Sequence, residues 1–252
     1  MTVTLILYIL RMIAALLIPA AAFVFVRTKF SGKLRNFFDG AAVYFIFCCL
    51  IFAVVATYLQ VFTKLFENRE NSVFQVVFNI IMETACIALG YILWFKAAIK
   101  KKNDNGVGLM TGIGFSSLML LISYALPSVV NAVIAVMYMT SPDAQISAIF
   151  EENINQVVMA TPLSMFFDLI YMISVFCIET AVATVFYRVL NCDGKKRWIA
   201  AAVLLRIAAY IVMSLTAFLD RAVIVLILVA LAVAEAGIVY SLINPFVAKK
   251  EQ

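Results

Sequence analysis

Six ionisable side chains fall within long apolar stretches of this 252-residue sequence, and they are its first candidates for chemistry. They are Arg11, Glu83, Asp168, Glu179, Arg206 and Glu235. An ionisable group inside a membrane span is costly unless it is paired or hydrated, so each one marks a candidate functional position. Carboxylates at two depths could relay protons or ions, whereas arginine–carboxylate pairs would only fix the register of the helices. Both interpretations remain open at this stage.

The rest of the composition argues against several kinds of catalytic, metal and binding sites. The sequence has no histidine, which excludes a Ser-His-Asp or Cys-His arrangement and an HExxH zinc site. Its five cysteines show no extracellular pairing pattern, so we expect neither a disulfide framework nor a metal site. Nothing in the sequence calls for a cofactor. The net charge of +5 does not indicate nucleic-acid binding, because the basic residues lie in short loops between apolar stretches.

The elements that must position these residues are membrane-spanning helices. The sequence is 65% hydrophobic and 13% charged, with a mean hydropathy of +1.07, and no soluble fold could cover so much apolar surface. About 20 apolar residues cross a bilayer as a helix. Seven such stretches predict an all-α transmembrane bundle in a single integral membrane domain over 1–252, with spans near 3–26, 40–63, 76–99, 107–139, 162–187, 198–219 and 222–243. The fourth contains Pro127 and Asn131, so we expect a kink or a break into two helices.

The basic residues predict the orientation. Fourteen of them fall in loops on one side, against three on the other, and basic loops face the cytoplasm. The fourteen are Arg27, Lys29, Lys33, Arg35, Lys96, Lys100, Lys101, Lys102, Arg188, Lys195, Lys196, Arg197, Lys249 and Lys250. The N-terminus is therefore predicted outside and the C-terminus in the cytoplasm, with the lipid bilayer as the surrounding partner.

The predicted spans also give a depth for each buried charge, at about 1.5 Å per helical residue. Arg11, Glu83 and Asp168 fall roughly 9–12 Å from the outer ends of their spans by this rise. Glu179, Arg206 and Glu235 fall roughly 12 Å from the inner ends. The sequence thus predicts two layers, each with one arginine and two carboxylates, and direct pairing between Arg11 and Glu83.

Two further segments carry a pattern. Gly108, Gly112 and Ser116 are spaced four apart, so they share one helix face on which another backbone can approach closely. This face predicts helix packing, with a groove for a substrate or partner as the alternative. In 142–158, apolar residues recur at helical spacing opposite acidic and amide residues, which predicts an external amphipathic helix.

The segment 81–124 matches a known motif frame in order and spacing. It has Glu83 in one span, a Lys100–Lys102 turn, and a next span that opens with Gly108-Leu109 and Gly112-Ile113-Gly114. It resembles the YhfC family of intramembrane proteases, relatives of the PrsW-type glutamic proteases. In that family a span with E-E-x-x-R is followed by a lysine-rich turn and by G-L-x-x-G-x-G-H-G-G-x-E. The resemblance implies a bacterial cell membrane protein with an all-helical fold.

Most residues that would carry the chemistry of this family differ here. Met82 replaces the first glutamate, Cys86 the arginine, Phe115 the histidine, Ser116-Ser117 the glycine pair and Met119 the second-span glutamate; Arg206 and Tyr210 fall where a later H-x-x-x-D is expected. Only Glu83 remains. We therefore expect a non-catalytic relative that binds or regulates another membrane component, such as a membrane protein or a transmembrane segment. A small transporter using the intramembrane carboxylates, and a residual hydrolase pairing Glu83 with Asp168, remain alternatives.

Overall fold

The computed structural model describes residues 2–62, 73–97, 104–140, 161–192, 195–215 and 219–243. Within these ranges the chain is helical, without β-strands, and seven helices are long and apolar enough to cross a membrane. The prediction of an all-α transmembrane bundle with about seven spans is confirmed. The orientation of the termini stays a prediction.

The seven helices, α1–α7, begin and end close to the edges of the apolar stretches. Two of them, α2 and α4, change from α-helix to π-helix and back. The bounds are Thr2–Lys29 for α1; Leu34–Val43, Tyr44–Phe52 (π) and Ala53–Phe62 for α2; Val73–Ala97 for α3; Asn105–Leu120, Leu121–Ala125 (π) and Leu126–Thr140 for α4; Pro162–Asn191 for α5; Arg197–Ser214 for α6; and Arg221–Ile243 for α7.

Helix α5 is the centre of the bundle and packs against α1, α3, α4, α6 and α7. It begins at a capping box, in which Thr161 and Ser164 satisfy each other's backbone N–H groups, with Pro162 in the first turn. Two contacts show that α5 and α7 run parallel. At their starts, Arg221 of α7 reaches the carboxylate of Asp168 on α5. At their ends, Arg188 of α5 donates to the carbonyl of Leu242 on α7.

Small residues let α4 lie between two close neighbours. A Cβ on Gly112 would lie 2.6 Å from the carbonyl oxygen of Thr180 on α5, and one on Gly114 would overlap the carbonyl of Phe37 on α2. The two glycines are two positions apart, so they lie on opposite faces of α4. Larger side chains at these positions would push the helices apart, and the site that α2, α4 and α5 line would lose its shape.

The π-helical turn in α4 lies directly before Pro127, where a kink or a break was expected. Proline removes one helical hydrogen bond and crowds the carbonyl four residues earlier, and a wider turn relieves both effects. Helix α4 therefore continues to Thr140 as one element. The amphipathic helix predicted over 142–158 lies outside the described residues.

Candidate functional site

A buried arginine joins three helices near the middle of the bundle. The Nε of Arg206 on α6 donates to Oε1 of Glu179 on α5 at 2.9 Å, and its Nη2 donates to Oε1 of Glu83 on α3 at 3.1 Å. Its Nη1 donates to the hydroxyl of Thr84. The side chain of Arg206 is 1% exposed and that of Glu179 is fully buried, so the guanidinium and this carboxylate depend on each other for charge compensation.

We call Arg206 and its partners Glu83, Glu179 and Thr84 the charge centre. Tyr210 joins this centre from the next turn of α6. Its hydroxyl donates to Oε1 of Glu179 at 2.6 Å, and its ring lies 4.3 Å from the guanidinium carbon of Arg206. The ring thus offers a cation–π contact while the hydroxyl bonds the partner carboxylate. The spacing of four residues between Arg206 and Tyr210 places them on the same helix face and could have signalled the contact in the sequence. No comparable signal marks Thr84.

Glu235 on α7 extends this centre without a hydrogen bond. Its side chain is fully buried, and neither carboxylate oxygen has a partner among the described residues. The Asp168–Arg221 and Arg188–Leu242 contacts set the register of α5 and α7, and they place Glu235 within about one helical turn of Glu179. Oε2 of Glu179 is also buried and unpartnered within the described part of the chain. The centre therefore holds three acidic groups and one guanidinium.

The predicted layering is wrong for Glu83, which bonds Arg206 and not Arg11. Helix α6 ends at Ser214 and not near Leu219, so Arg206 lies near the middle of its helix. Helix α3 begins at Val73, three residues before the predicted start, which makes Glu83 deeper. Both shifts place the side chains of Glu83 and Arg206 at the same depth in the bundle.

A second cluster lies toward the N-terminal end of α1. Oδ2 of Asp168 is 3.3 Å from Nη1 of Arg11, and its Oδ1 is 2.9 Å from Nη2 of Arg221. Arg11 and Asp168 fall together as the predicted depths imply, with Arg221 in place of Glu83. This outer cluster is more open, since the side chains of Arg11, Asp168 and Arg221 are 21%, 16% and 53% exposed.

A cavity of about 330 Å³ opens beside Glu83 and Arg206, and we call it the chamber. Both π-helical turns line it, one through Tyr44, Cys48, Cys49 and Phe52 and the other through Ser123 and Tyr124. Such turns are frequent at functional sites, and their position could not be read from hydropathy. The remaining lining residues are Glu83, Phe115, Met119, Tyr171, Val175, Arg206, Tyr210 and Met213.

A second cavity, of about 280 Å³, adjoins the chamber on the side of the outer cluster. It is lined by Arg11, Asp168 and Arg221, and it shares Ser123, Tyr124 and Tyr171 with the chamber. These three shared residues separate the chamber from the outer cluster. In the opposite direction the bundle is filled by fully buried aromatic rings. The ring of Tyr91 is stacked on that of Phe95 at 5.6 Å and tilted against that of Phe186, also at 5.6 Å.

Five of the nine positions at which the motif frame carries its chemistry line this chamber, whereas Met82, Cys86, Ser116 and Ser117 are not among its lining residues. Glu83, Phe115, Met119, Arg206 and Tyr210 come from three helices and all line it. The hydroxyl of Tyr210 also contacts the sulfur of Met119 at 3.7 Å.

The small-residue face lies on the other side of α4, against α5. A Cβ on Gly108 would lie 3.0 Å from Tyr187, close to the limit for such contacts. The hydroxyl of Ser116 bonds the carbonyl of Gly112 at 2.9 Å and lies 3.1 Å from the hydroxyl of Thr180. Gly108, Gly112 and Ser116 thus contact a helix of the same chain.

The described residues contain no group of three or more cysteine, aspartate or glutamate side chains arranged to hold a metal ion, and the sequence has no histidine. Cys48 and Cys49 lie in the chamber wall as free cysteines. The centre is thus built from carboxylates, a guanidinium, hydroxyls and aromatic rings.

Comparison with protein families gives a match over most of the chain. The family model of the YhfC intramembrane metalloprotease matches residues 14–235, which extend from α1 to Glu235 in α7. No curated protein and no solved structure matches the chain. The matched range takes in most of the chain and every residue of the charge centre. This multi-pass membrane protein therefore belongs to the YhfC intramembrane metalloprotease family.

Proposed function

We propose that this chain is a non-catalytic member of its family, which binds another membrane component at the chamber and regulates it. The observation that carries the proposal is the buried guanidinium of Arg206, held between the carboxylates of Glu83 and Glu179. Hydrolysis by acid–base catalysis needs a carboxylate that is free to take a proton from a positioned water. Here Glu83 and Glu179 are both bonded to a permanent cation, and no second carboxylate of the described residues lines the chamber beside the open oxygen of Glu83 to help hold a water.

The residues of the centre do not fit the metal that the family description implies. A catalytic zinc site takes three protein ligands, mostly histidine with a carboxylate or cysteine, and leaves one position open for water. This chain has no histidine, and Arg206 already supplies positive charge at the point where Glu83 and Glu179 converge. Phe115 and Met119, which add no charge, fill two further positions of the motif frame.

The partner that fits this setting is a transmembrane segment or a small membrane protein in the cytoplasmic membrane of a bacterium. The chamber lies within the membrane-spanning part of the bundle, so what reaches it must cross or enter the bilayer. The basic loops favour the orientation with the N-terminus outside. In this role the family scaffold keeps its binding cavity while Arg206 bonds both Glu83 and Glu179.

Photocrosslinking inside the chamber tests this function. Met213→p-benzoylphenylalanine places the probe in the chamber wall, and Leu204→p-benzoylphenylalanine places it on the same helix at a 66% exposed, lipid-facing position. We expect a discrete protein adduct in native membranes from the first variant and none from the second. Equal adducts from both variants, or none from the first while the protein is folded, would contradict the proposal.

Protease activity is tested separately. A panel of single-span membrane proteins co-expressed with this chain is expected to remain intact, as it does with Glu83→Gln. Cleavage that requires Glu83 and stops on chelation would overturn the non-catalytic function. The hydrolase alternative that pairs Glu83 with Asp168 loses its basis, because Glu83 bonds Arg206 whereas Asp168 bonds Arg11 and Arg221.

A small transporter is the second candidate, favoured by the adjoining cavities that share Ser123, Tyr124 and Tyr171. The buried rings around Tyr91 fill the bundle beyond the chamber, so transport would require them to move. Flux into reconstituted vesicles that Glu179→Gln or Glu235→Gln abolishes would establish this function. Flux equal to that of empty vesicles would remove it.

A further inference from the structure

The charged group that is exposed to the chamber is negative. The side chain of Glu83 is 26% exposed, whereas those of Arg206 and Glu179 are 1% and 0% exposed. Arg206 uses only Oε1 of Glu83, and Oε2 has no partner among the described residues. A molecule in the chamber therefore meets a carboxylate oxygen, while the guanidinium is turned toward its protein partners.

The charge count of the centre points the same way. The two carboxylates of Glu83 and Glu179 share one guanidinium in the described part of the bundle, which leaves one negative charge uncompensated. Glu235 adds no charge to this count, because a fully buried carboxyl group without a partner takes its neutral form. In a low-dielectric setting the uncompensated carboxylate favours the binding of positive charge and disfavours an anion.

The wall of the chamber decides which cation fits. Aromatic side chains contribute six of the fourteen lining residues, namely Tyr44, Phe52, Phe115, Tyr124, Tyr171 and Tyr210. A small metal ion needs several oxygen, nitrogen or sulfur ligands, and no group of three such acidic or thiol ligands is present in the described residues. An ammonium group that carries alkyl substituents gains instead from aromatic faces and from one counter-ion. The volume of about 330 Å³ lies in the range of small-ligand pockets.

We propose that the chamber binds an organic cation, an alkylammonium or quaternary ammonium group, with Oε2 of Glu83 as its counter-ion and the surrounding aromatic rings as its cage. The group arrives either as a small molecule by way of the outer cavity or as a lysine side chain of a transmembrane segment. The inference rests on the proposed function only in taking the chamber as a binding site. It names the chemistry that this site recognises.

Thermal unfolding of the full chain in detergent tests the inference with matched probes. Choline represents the small cation, and 3,3-dimethylbutan-1-ol is its neutral counterpart of nearly equal shape. A single-span leucine–alanine peptide with a central lysine represents the segment, and the same peptide with a central leucine is its control. We expect a saturable rise in Tm with choline or with the lysine peptide, and no rise with the neutral member of the same pair.

Two variants locate the effect. Glu83→Gln should abolish the rise in Tm, whereas Asp168→Asn, a matched carboxyl-to-amide change in the outer cluster, should retain it. If Glu83→Gln does not unfold cooperatively, Phe52→Leu takes its place, since it removes one ring of the cage at a residue that forms no ion pair or side-chain hydrogen bond among the described residues, and it should reduce the rise.

The outcomes separate this inference from the proposed function. No rise with either cation, or an equal rise with the neutral counterparts, overturns the inference even where a crosslinked partner supports the function. A rise with choline alone supports the inference and counts against a transmembrane segment as the occupant.

Discussion

Arg206 and Arg11 both lie more than two turns from the ends of their helices, and their surroundings differ in burial and in charge ratio. Arg206 is 1% exposed and lies among three acidic side chains, two of which it bonds directly. Arg11 is 21% exposed and shares the single carboxylate of Asp168 with Arg221. The deep centre is thus rich in acidic groups and the outer cluster is rich in basic ones.

This difference indicates that the two charged clusters have different roles in the bundle. The Arg206 centre links α3, α5 and α6, and Arg206 and Glu179 are too deeply buried for water to replace a lost partner, whereas Glu83 is open to the chamber. The outer cluster links α1, α5 and α7 where water can still reach it. We therefore expect the first to determine stability and binding, and the second to contribute little to either.

Removing the guanidinium of the deep centre should have the largest effect. Arg206→Met leaves Glu179 fully buried without its cation, and breaking such a pair costs about 3–5 kcal/mol. We expect that loss in the free energy of unfolding, measured by denaturant titration in mixed micelles, or a failure of the variant to accumulate in the membrane.

Arg11→Met is the matched control, and it should lower stability by less than Arg206→Met because its site is partly hydrated. Equal losses in the two variants would mean that burial does not distinguish the clusters.

A double-mutant cycle should show next which pairs are in contact. Arg206→Met and Glu83→Gln are expected to be non-additive by about 0.5–3 kcal/mol, because their side chains are bonded. Arg11→Met and Glu83→Gln should add within about 0.5 kcal/mol, because they belong to different clusters. A large coupling between Arg11 and Glu83 would restore the layering that the sequence alone suggests.

The smallest effect is expected at the exposed end of the outer cluster. Arg221→Ala removes an ion pair whose arginine is 53% exposed, and such pairs contribute about 0–1 kcal/mol. Its contribution should decline further as salt is added, which the same titration at two ionic strengths measures. A salt-independent loss as large as that of Arg206→Met would show that this pair is shielded from water.

Hydropathy alone was enough to predict the bundle, because seven apolar stretches of the right length leave few other folds open. It could not predict the partner of Glu83, since the depth of a residue depends on where its helix begins and ends. Helix α6 stops at Ser214 although apolar residues continue to Leu219, and α3 starts at Val73 before its apolar run. Such shifts change the depth of a side chain in the membrane by several ångströms.

The sequence could not predict the chamber, and the reason is different. Its walls include two π-helical turns, which depend on how α2 and α4 pack and which leave no periodic mark in the residues. The motif frame did mark Glu83, Phe115, Met119, Arg206 and Tyr210, and these residues share the chamber wall. The resemblance therefore pointed to five residues of the chamber wall, whereas the contacts among them, such as that of Arg206 with Glu83, and with Glu179 beside them, depend on the packing of the helices.

The central claim is that the guanidinium of Arg206 provides the positive charge between Glu83 and Glu179, so that no metal is held there. The most direct test is the metal content of the purified full chain by inductively coupled plasma mass spectrometry, with its thermal stability measured before and after chelation. The account predicts far less than one bound transition-metal ion per chain and an unchanged Tm. One ion per chain that is lost in Glu83→Gln, together with a lower Tm after chelation, would contradict it.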